Sequence, residues 1–260
     1  MAAGYDDNHF GSSIALIKLP RNRKLVLSGA PHRRRDTLTG YVAGYLIDHN
    51  NNWSNDLKEL WSISSAEFDG GAQMGEQFGR EIVTGDFNGD GRMDYAVAAP
   101  TWSNMELYPM RVNVGRVYIF LAVADSDNID PSSKSNYRPT QVLQGQASNG
   151  QFGFVLQSID INGDKYDDLV ISAPFEDRET GRIYIFNGQP EDNNSIVFNR
   201  TASQILSRSG SKWFGHSISV RADLDNNEYN DIAVGAPKSE EIFMYRTRPS
   251  VQLNIEGNQL

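Results

Sequence analysis

Four segments of this chain repeat one order of features, and that repetition limits what the chain can fold into more than any other property of the sequence. They read "HFGSSIALI…LVLSGAP", "QFGREIVTGDF…YAVAAP", "QFGFVLQSID…LVISAP" and "WFGHSISVRAD…IAVGAP". The Phe-Gly pairs begin at Phe10, Phe78, Phe152 and Phe214, and in each repeat the proline of the small-Ala-Pro triplet follows its Phe by 21 to 23 residues. The unit is nearly fixed in length, and the variation lies in the connections. After each proline comes a loop and then a short alternating run of Val, Ile, Tyr and Phe: "GYVAGYLI", "VGRVYIFLA", "GRIYIFNG" and "EIFMYRT". A further short run follows the first three, as "ELWSISS", "TQVLQG" and "SQILSR". Such runs are strands, and no segment keeps a helical period. About four strands per unit, repeated, give the all-β architecture of a β-propeller. Glycine and the small triplet residues allow backbones to approach where sheets crowd, and Phe fills the space between them. An irregular sandwich is the alternative, but sandwiches do not repeat in this way.

Between the first and second strand of three repeats lies an acidic stretch. "DFNGDGRMD" places Asp86, Asn88, Asp90 and Asp94 at positions 1, 3, 5 and 9. "DINGDKYDD" places Asp160, Asn162, Asp164 and Asp168 there, and "DLDNNEYND" places Asp223, Asp225, Asn227 and Asp231. Alternate residues of a tight loop can turn oxygens inward together, and a hard cation such as calcium takes six to eight of them. At position 7, Arg92, Tyr166 and Tyr229 have no suitable side chain, so the backbone carbonyl is the expected ligand. An EF-hand also requires a bidentate Glu at position 12. Here that position holds Val97, Ile171 and Val234, because the chain has already entered the next strand. These read as three calcium-binding β-hairpin loops. The first repeat is an internal control: "KLPRNRKLV" has four cationic residues and no carboxylate.

Phe-Gly, a nine-residue calcium loop and Gly-Ala-Pro together resemble the FG-GAP repeats of integrin α subunits, over nearly the whole chain. The ending "IFMYRTRPSVQLNIEGNQL" is similar to the last propeller strand and its exit into a thigh-like domain. The resemblance implies FG-GAP repeats at 1–67, 68–144, 145–208 and 209–248, the first without a calcium loop, with 249–260 starting the following domain. It also implies that these are the last four blades of a seven-bladed propeller, in a chain whose other blades, signal peptide and membrane helix lie elsewhere. Function follows by the same implication: a cell-adhesion receptor subunit, not an enzyme, at the outer side of the plasma membrane, as a single-pass protein when full length. It would pair with an integrin β subunit and help bind an extracellular-matrix or cell-surface ligand. An alternative is a calcium-binding accessory domain of a secreted hydrolase such as a phospholipase D. A self-contained four-bladed propeller fits the unit count but leaves the last blade short of a strand.

The remaining features agree with a binding protein. The net charge of −9 argues against nucleic acid and suits a surface that collects cations. His9, His32, His49 and His216 have no metal spacing or Ser/His/Asp context, and there is no cysteine nucleophile, nucleophile elbow or phosphate-binding glycine loop. The absence of cysteine is compatible with either redox compartment for a core of this size. Sequons stand at Asn52, Asn193 and Asn199. The loops after each Ala-Pro are expected on the face opposite the calcium loops, where the resemblance places partner and ligand. Two stand out: "HRRRDTLT" with Arg33, Arg34 and Arg35, and "TWSNMELYPMRVN" with Trp102, Met105, Leu107, Tyr108 and Met110. Exposed aromatic and Met side chains mark interaction surfaces, so the second is the expected contact loop.

Overall fold

The computed structural model describes residues 9–19, 23–32, 39–48, 59–68, 73–106, 108–122, 137–191 and 196–248. They form four antiparallel sheets, each built from strands consecutive in sequence. The first contains β1 (Ser13–Leu19), β2 (Arg23–Ala30), β3 (Tyr41–Asp48) and β4 (Glu59–Ile63). The second contains β5 (Ile82–Gly85), β6 (Asp94–Ala99), β7 (Arg116–Phe120) and β8 (Gln141–Gln144). In the third are β9 (Leu156–Ile159), β10 (Asp168–Ala173), β11 (Arg182–Phe186) and β12 (Gln204–Leu206). The fourth has β13 (Ser217–Ala222), β14 (Asp231–Ala236) and β15 (Glu241–Tyr245). The first strands touch in series, β1 to β5 to β9 to β13, so the sheets stand side by side around a common inner edge. This is the radial arrangement of a β-propeller. Among the described residues no helix is long and apolar enough to cross a membrane.

The repeat motif explains the arrangement. In all four sheets the N–H of the Phe-Gly glycine donates to the carbonyl of the first triplet residue: Gly11 to Gly29, Gly79 to Ala98, Gly153 to Ser172 and Gly215 to Gly235, at 2.9–3.2 Å. That bond closes the start of each repeat onto the end of its second strand, so the number of residues between them cannot drift. The Phe side chain works across repeats. Phe78, Phe152 and Phe214 are buried, each in the space between its own sheet and the preceding one. Full burial of a side chain of this size contributes about 2–3 kcal/mol. Phe10, in the first repeat, is half exposed and meets the ring of Tyr45 edge-on.

A glycine ahead of the third strand completes the junction. A β-carbon at Gly40, Gly115 or Gly181 would collide with the main chain of Phe78, Phe152 or Phe214 of the next repeat. Only a residue without a side chain permits that approach. Three buried clusters fill the spaces between consecutive sheets. Leu27, Val42 and Trp61 meet Val97, Tyr118 and Phe120 in the first. Val117 and Ile119 meet Leu156, Leu169 and Ile171 in the second. Ile183 and Ile185 meet Val220, Ile232 and Val234 in the third. Strands β6 and β10, which lie within their sheets with packing on both faces, are buried at every residue, and this accounts for their unbroken apolar runs.

Candidate metal centres

Each acidic stretch is the hairpin joining the first and second strands of its sheet, between β5 and β6, β9 and β10, and β13 and β14. The three hairpins share one backbone path. Position 4 has positive φ in all of them (Gly89 +72°, Gly163 +76°, Asn226 +57°), as does position 6 (Gly91 +81°, Lys165 +76°, Glu228 +71°). Two left-handed residues curl the chain so that position 1 faces the backbone of positions 5 and 6. Asp86 accepts from the N–H groups of Asp90 (3.0 Å) and Gly91 (2.8 Å). Asp160 accepts from Asp164 (3.2 Å) and Lys165 (2.8 Å), and Asp223 from Asn227 (3.1 Å) and Glu228 (2.9 Å). Position 5 in turn accepts from the N–H of position 7: Asp90 from Arg92, Asp164 from Tyr166 and Asn227 from Tyr229.

Position 9 has a further task. Asp94 accepts from Phe87 N–H (3.0 Å) and Ala122 N–H (2.8 Å). Asp168 does the same with Ile161 and Gly188, and Asp231 with Leu224 and Thr247. One carboxylate therefore ties the beginning of the hairpin to the chain leaving the third strand. All three of these side chains are buried. Burial pushes the carboxyls of Asp94 and Asp168 up to about 7, against the pull of those backbone donors. A bound cation would favour the ionised form.

The donors suit a hard cation best in the last hairpin. There Asp223, Asp225 and Asp231 each place a carboxylate oxygen within 4.8 Å of the others. Among the described residues, Oδ1 of Asp225 is buried without a hydrogen-bond partner, and the other oxygen has only Arg246 Nε at 3.7 Å. In the first two hairpins the position-3 amide turns toward position 5: Asn88 Nδ2 donates to Asp90 at 3.2 Å and Asn162 Nδ2 to Asp164 at 2.9 Å. The Arg92 guanidinium also pairs with Asp90, at 2.6 Å. Asp90 Oδ2 thus accepts twice, whereas Asp90 Oδ1 and both oxygens of Asp164 accept once each among the described residues and keep a second lone pair for a ligand. The hairpin of the first repeat has Leu19 opposite Arg23 and its sequence carries no acid.

The loops after the small-Ala-Pro triplets leave the other end of the second strands, since β6 begins at Asp94 and ends at Ala99. Within 101–113, Asn104 and Arg111 form a bridge that projects Met105, Tyr108 and Met110 into solvent, and Tyr108 is fully exposed. Trp102 departs from expectation. It is buried, with the Arg116 guanidinium stacked on its ring, because it stands at the base of the projection and packs into the first intersheet cluster. Leu107 and Arg33–Arg35 lie outside the described residues, as do Asn52 and Asn193, whereas Asn199 is exposed.

The same face carries a second feature that the sequence reading missed. Phe154 and His216 directly follow their Phe-Gly pairs, Trp213 precedes one and Phe175 follows an Ala-Pro. Phe175 meets Phe154 and Trp213 edge-on, and His216 stacks on Trp213. Arg80 lies over Phe154, and Lys238 lies over Trp213 while pairing with Glu179 at 2.6 Å. The signal was present as aromatics flanking the repeat motif.

A family model described as the FG-GAP repeat matches residues 78–120 and 152–186. Among curated proteins the chain is 32% identical to integrin alpha-PS2 of Drosophila melanogaster over 200 residues, 75% of this chain and 14% of that protein. It is 29% identical to human integrin alpha-8 over 262 aligned residues, 98% of this chain and 22% of that protein. It is 31% identical to integrin alpha-5 of Xenopus laevis over 264 aligned residues, 99% of this chain and 23% of that protein. The chain thus spans a quarter or less of the length of these relatives.

Proposed function

From the premise that this chain is an FG-GAP repeat protein related to integrin α subunits over most of its length, we propose that it is the propeller region of an adhesion-receptor α subunit. In this reading it binds and does not catalyse. It works on the outer side of the plasma membrane, paired with an integrin β subunit and helping to hold an extracellular-matrix or cell-surface ligand. Its three acidic hairpins are structural calcium sites at 86–94, 160–168 and 223–231. In each, the side chains at positions 1, 3, 5 and 9 and the position-7 carbonyl are the ligands. The repeat boundaries at 1–67, 68–144, 145–208 and 209–248 belong to the same proposal.

The observation that carries this reading is the division of labour between the two ends of the second strands. One end holds the three hairpins of common backbone geometry, with an orphaned carboxylate oxygen at Asp225. The other end holds the exposed Met105, Tyr108 and Met110 and the aromatic group around Phe175. Aromatic and Met side chains are enriched at interface cores, whereas acidic ones are depleted. The partner is therefore met at the second end, and the cations hold the frame at the first.

The test is co-immunoprecipitation, from surface-labelled cells, of a polypeptide containing this chain with co-expressed integrin β subunits. Recovery of a β subunit, reduced by Tyr108→Ala with Met110→Ala, is the expected result. A secreted, unpaired protein with hydrolase activity would overturn the proposal.

A further inference from the structure

Neighbouring acidic hairpins touch, and the contact is made by residues that flank the proposed ligands. The ring of Tyr166, position 7 of the hairpin at 160–168, lies against Gly89, position 4 of the hairpin at 86–94. A β-carbon on Gly89 would stand 2.5 Å from Cε1 of that ring. The contact repeats one sheet further on, where a β-carbon on Gly163 would stand 2.9 Å from Cε1 of Tyr229. Position 7 is tyrosine in the two hairpins that follow another acidic hairpin. In the hairpin at 86–94, whose predecessor has no acidic loop, it is Arg92 and its guanidinium turns back to its own Asp90. The aromatic residue thus occurs where there is a preceding glycine for it to cover.

A second link is polar. The Asp167 carboxylate accepts from the N–H of Asp86 at 2.8 Å, and the Asp167 N–H donates to the carbonyl of Asp86 at 2.9 Å. Asp86 is position 1 of one hairpin and Asp167 is position 8 of the next, so this pair of bonds ties the main chains of adjacent hairpins together.

We propose that Tyr166 and Asp167 are positioning residues that couple the two hairpins, so that calcium held at 160–168 raises the affinity for calcium at 86–94 and the reverse. This inference rests on the calcium reading given above. The physical reason is that Tyr166 serves both loops at once: its carbonyl belongs to the donor set of its own hairpin, and its ring caps the turn of the neighbour. Ordering the Tyr166 main chain therefore also seats the ring on Gly89. Asp167, the next residue, moves with it and sets the main chain of Asp86. Asp86 in turn fixes the Asp90 and Gly91 amides through its own carboxylate. A loop already ordered by its neighbour loses less conformational freedom when it takes its own cation, which is positive cooperativity without a large structural change. By linkage the effect is reciprocal.

The test is a calcium titration of the 260-residue chain followed site by site through the amide resonances of Gly91, for 86–94, and Lys165, for 160–168. Disabling the second hairpin with Asp164→Ala should raise the calcium midpoint at Gly91 by about fivefold or more, the low end of typical coupling between sites. Cutting the links with Tyr166→Ala and Asp167→Asn should raise the Gly91 midpoint as well. Adding Asp164→Ala to that background should then move it less than about twofold. The parallel cycle of Asp225→Ala with Tyr229→Ala, read at Lys165, tests the same coupling if the first linked variant does not fold. A Gly91 midpoint indifferent to Asp164→Ala would overturn the coupling and leave the calcium sites standing. A Gly91 resonance that ignores calcium in the unmodified chain would overturn both.

Discussion

The guanidinium carbon of Arg116 lies 3.3 Å from the centre of the Trp102 ring, and that stack closes the first intersheet cluster from above. Trp102 is thus part of the frame, while Tyr108, six residues on, stands fully in solvent. Trp102→Ala should destabilise the chain by about 3–5 kcal/mol, the usual cost of removing a large buried aromatic. Tyr108→Ala should change stability by less than about 0.5 kcal/mol. Thermal or urea unfolding of the two variants checks the contrast, and equal stability losses would contradict it.

Position 9 of each hairpin differs in kind from positions 1, 3 and 5. Asp94 accepts two backbone N–H groups, one from the hairpin and one from the end of the third strand. Asp90 is exposed and serves mainly its own turn. In calcium-free buffer Asp94→Ala leaves those donors unmatched and should cost about 2–4 kcal/mol. Asp90→Ala should cost less than about 1 kcal/mol there. Denaturant unfolding with excess chelator separates the two. Similar costs for both variants would mean that Asp94 is a ligand and nothing more.

Much of this was legible in the sequence, because the repeat reports on strand order and loop placement at once. Phe-Gly and the triplet are hydrogen-bonded partners, so their constant separation is a direct record of each sheet's first hairpin. The alternating runs marked the third and fourth strands correctly for the same local reason. What the sequence concealed are contacts between repeats. Nothing local marks Tyr166 as the cover of Gly89, or Asp167 as the acceptor for Asp86, since each pair is some 80 residues apart. Trp102 was misplaced by the same limitation. Its neighbours Met105 and Tyr108 are exposed, and only the packing of the preceding sheet distinguishes it from them.

The junction glycines make a separate prediction. Gly115 has φ +83° and leaves no room for a β-carbon against the main chain of Phe152. Gly115→Ala combines left-handed strain with overpacking and should destabilise by about 3 kcal/mol or more. Gly210 also has positive φ, at +86°, but has open space around it, so Gly210→Ala should cost only the strain, about 1–2 kcal/mol. Paired unfolding curves would show the difference, and indistinguishable midpoints would contradict the tight junction.

The most direct measurement is titration calorimetry of the folded, chelator-treated chain with calcium. Three hairpins of one backbone path predict a stoichiometry near three, with the first repeat contributing none. If each site has a dissociation constant of about 0.1 mM, as extracellular calcium modules do, then about 1 mM calcium should stabilise the chain by roughly 1.4 kcal/mol per site. A stoichiometry near three accompanied by that stabilisation is the expected result. No heat of binding and an unchanged unfolding midpoint would show that the hairpins are acidic turns closed by their own backbone, and that calcium has no part in this protein.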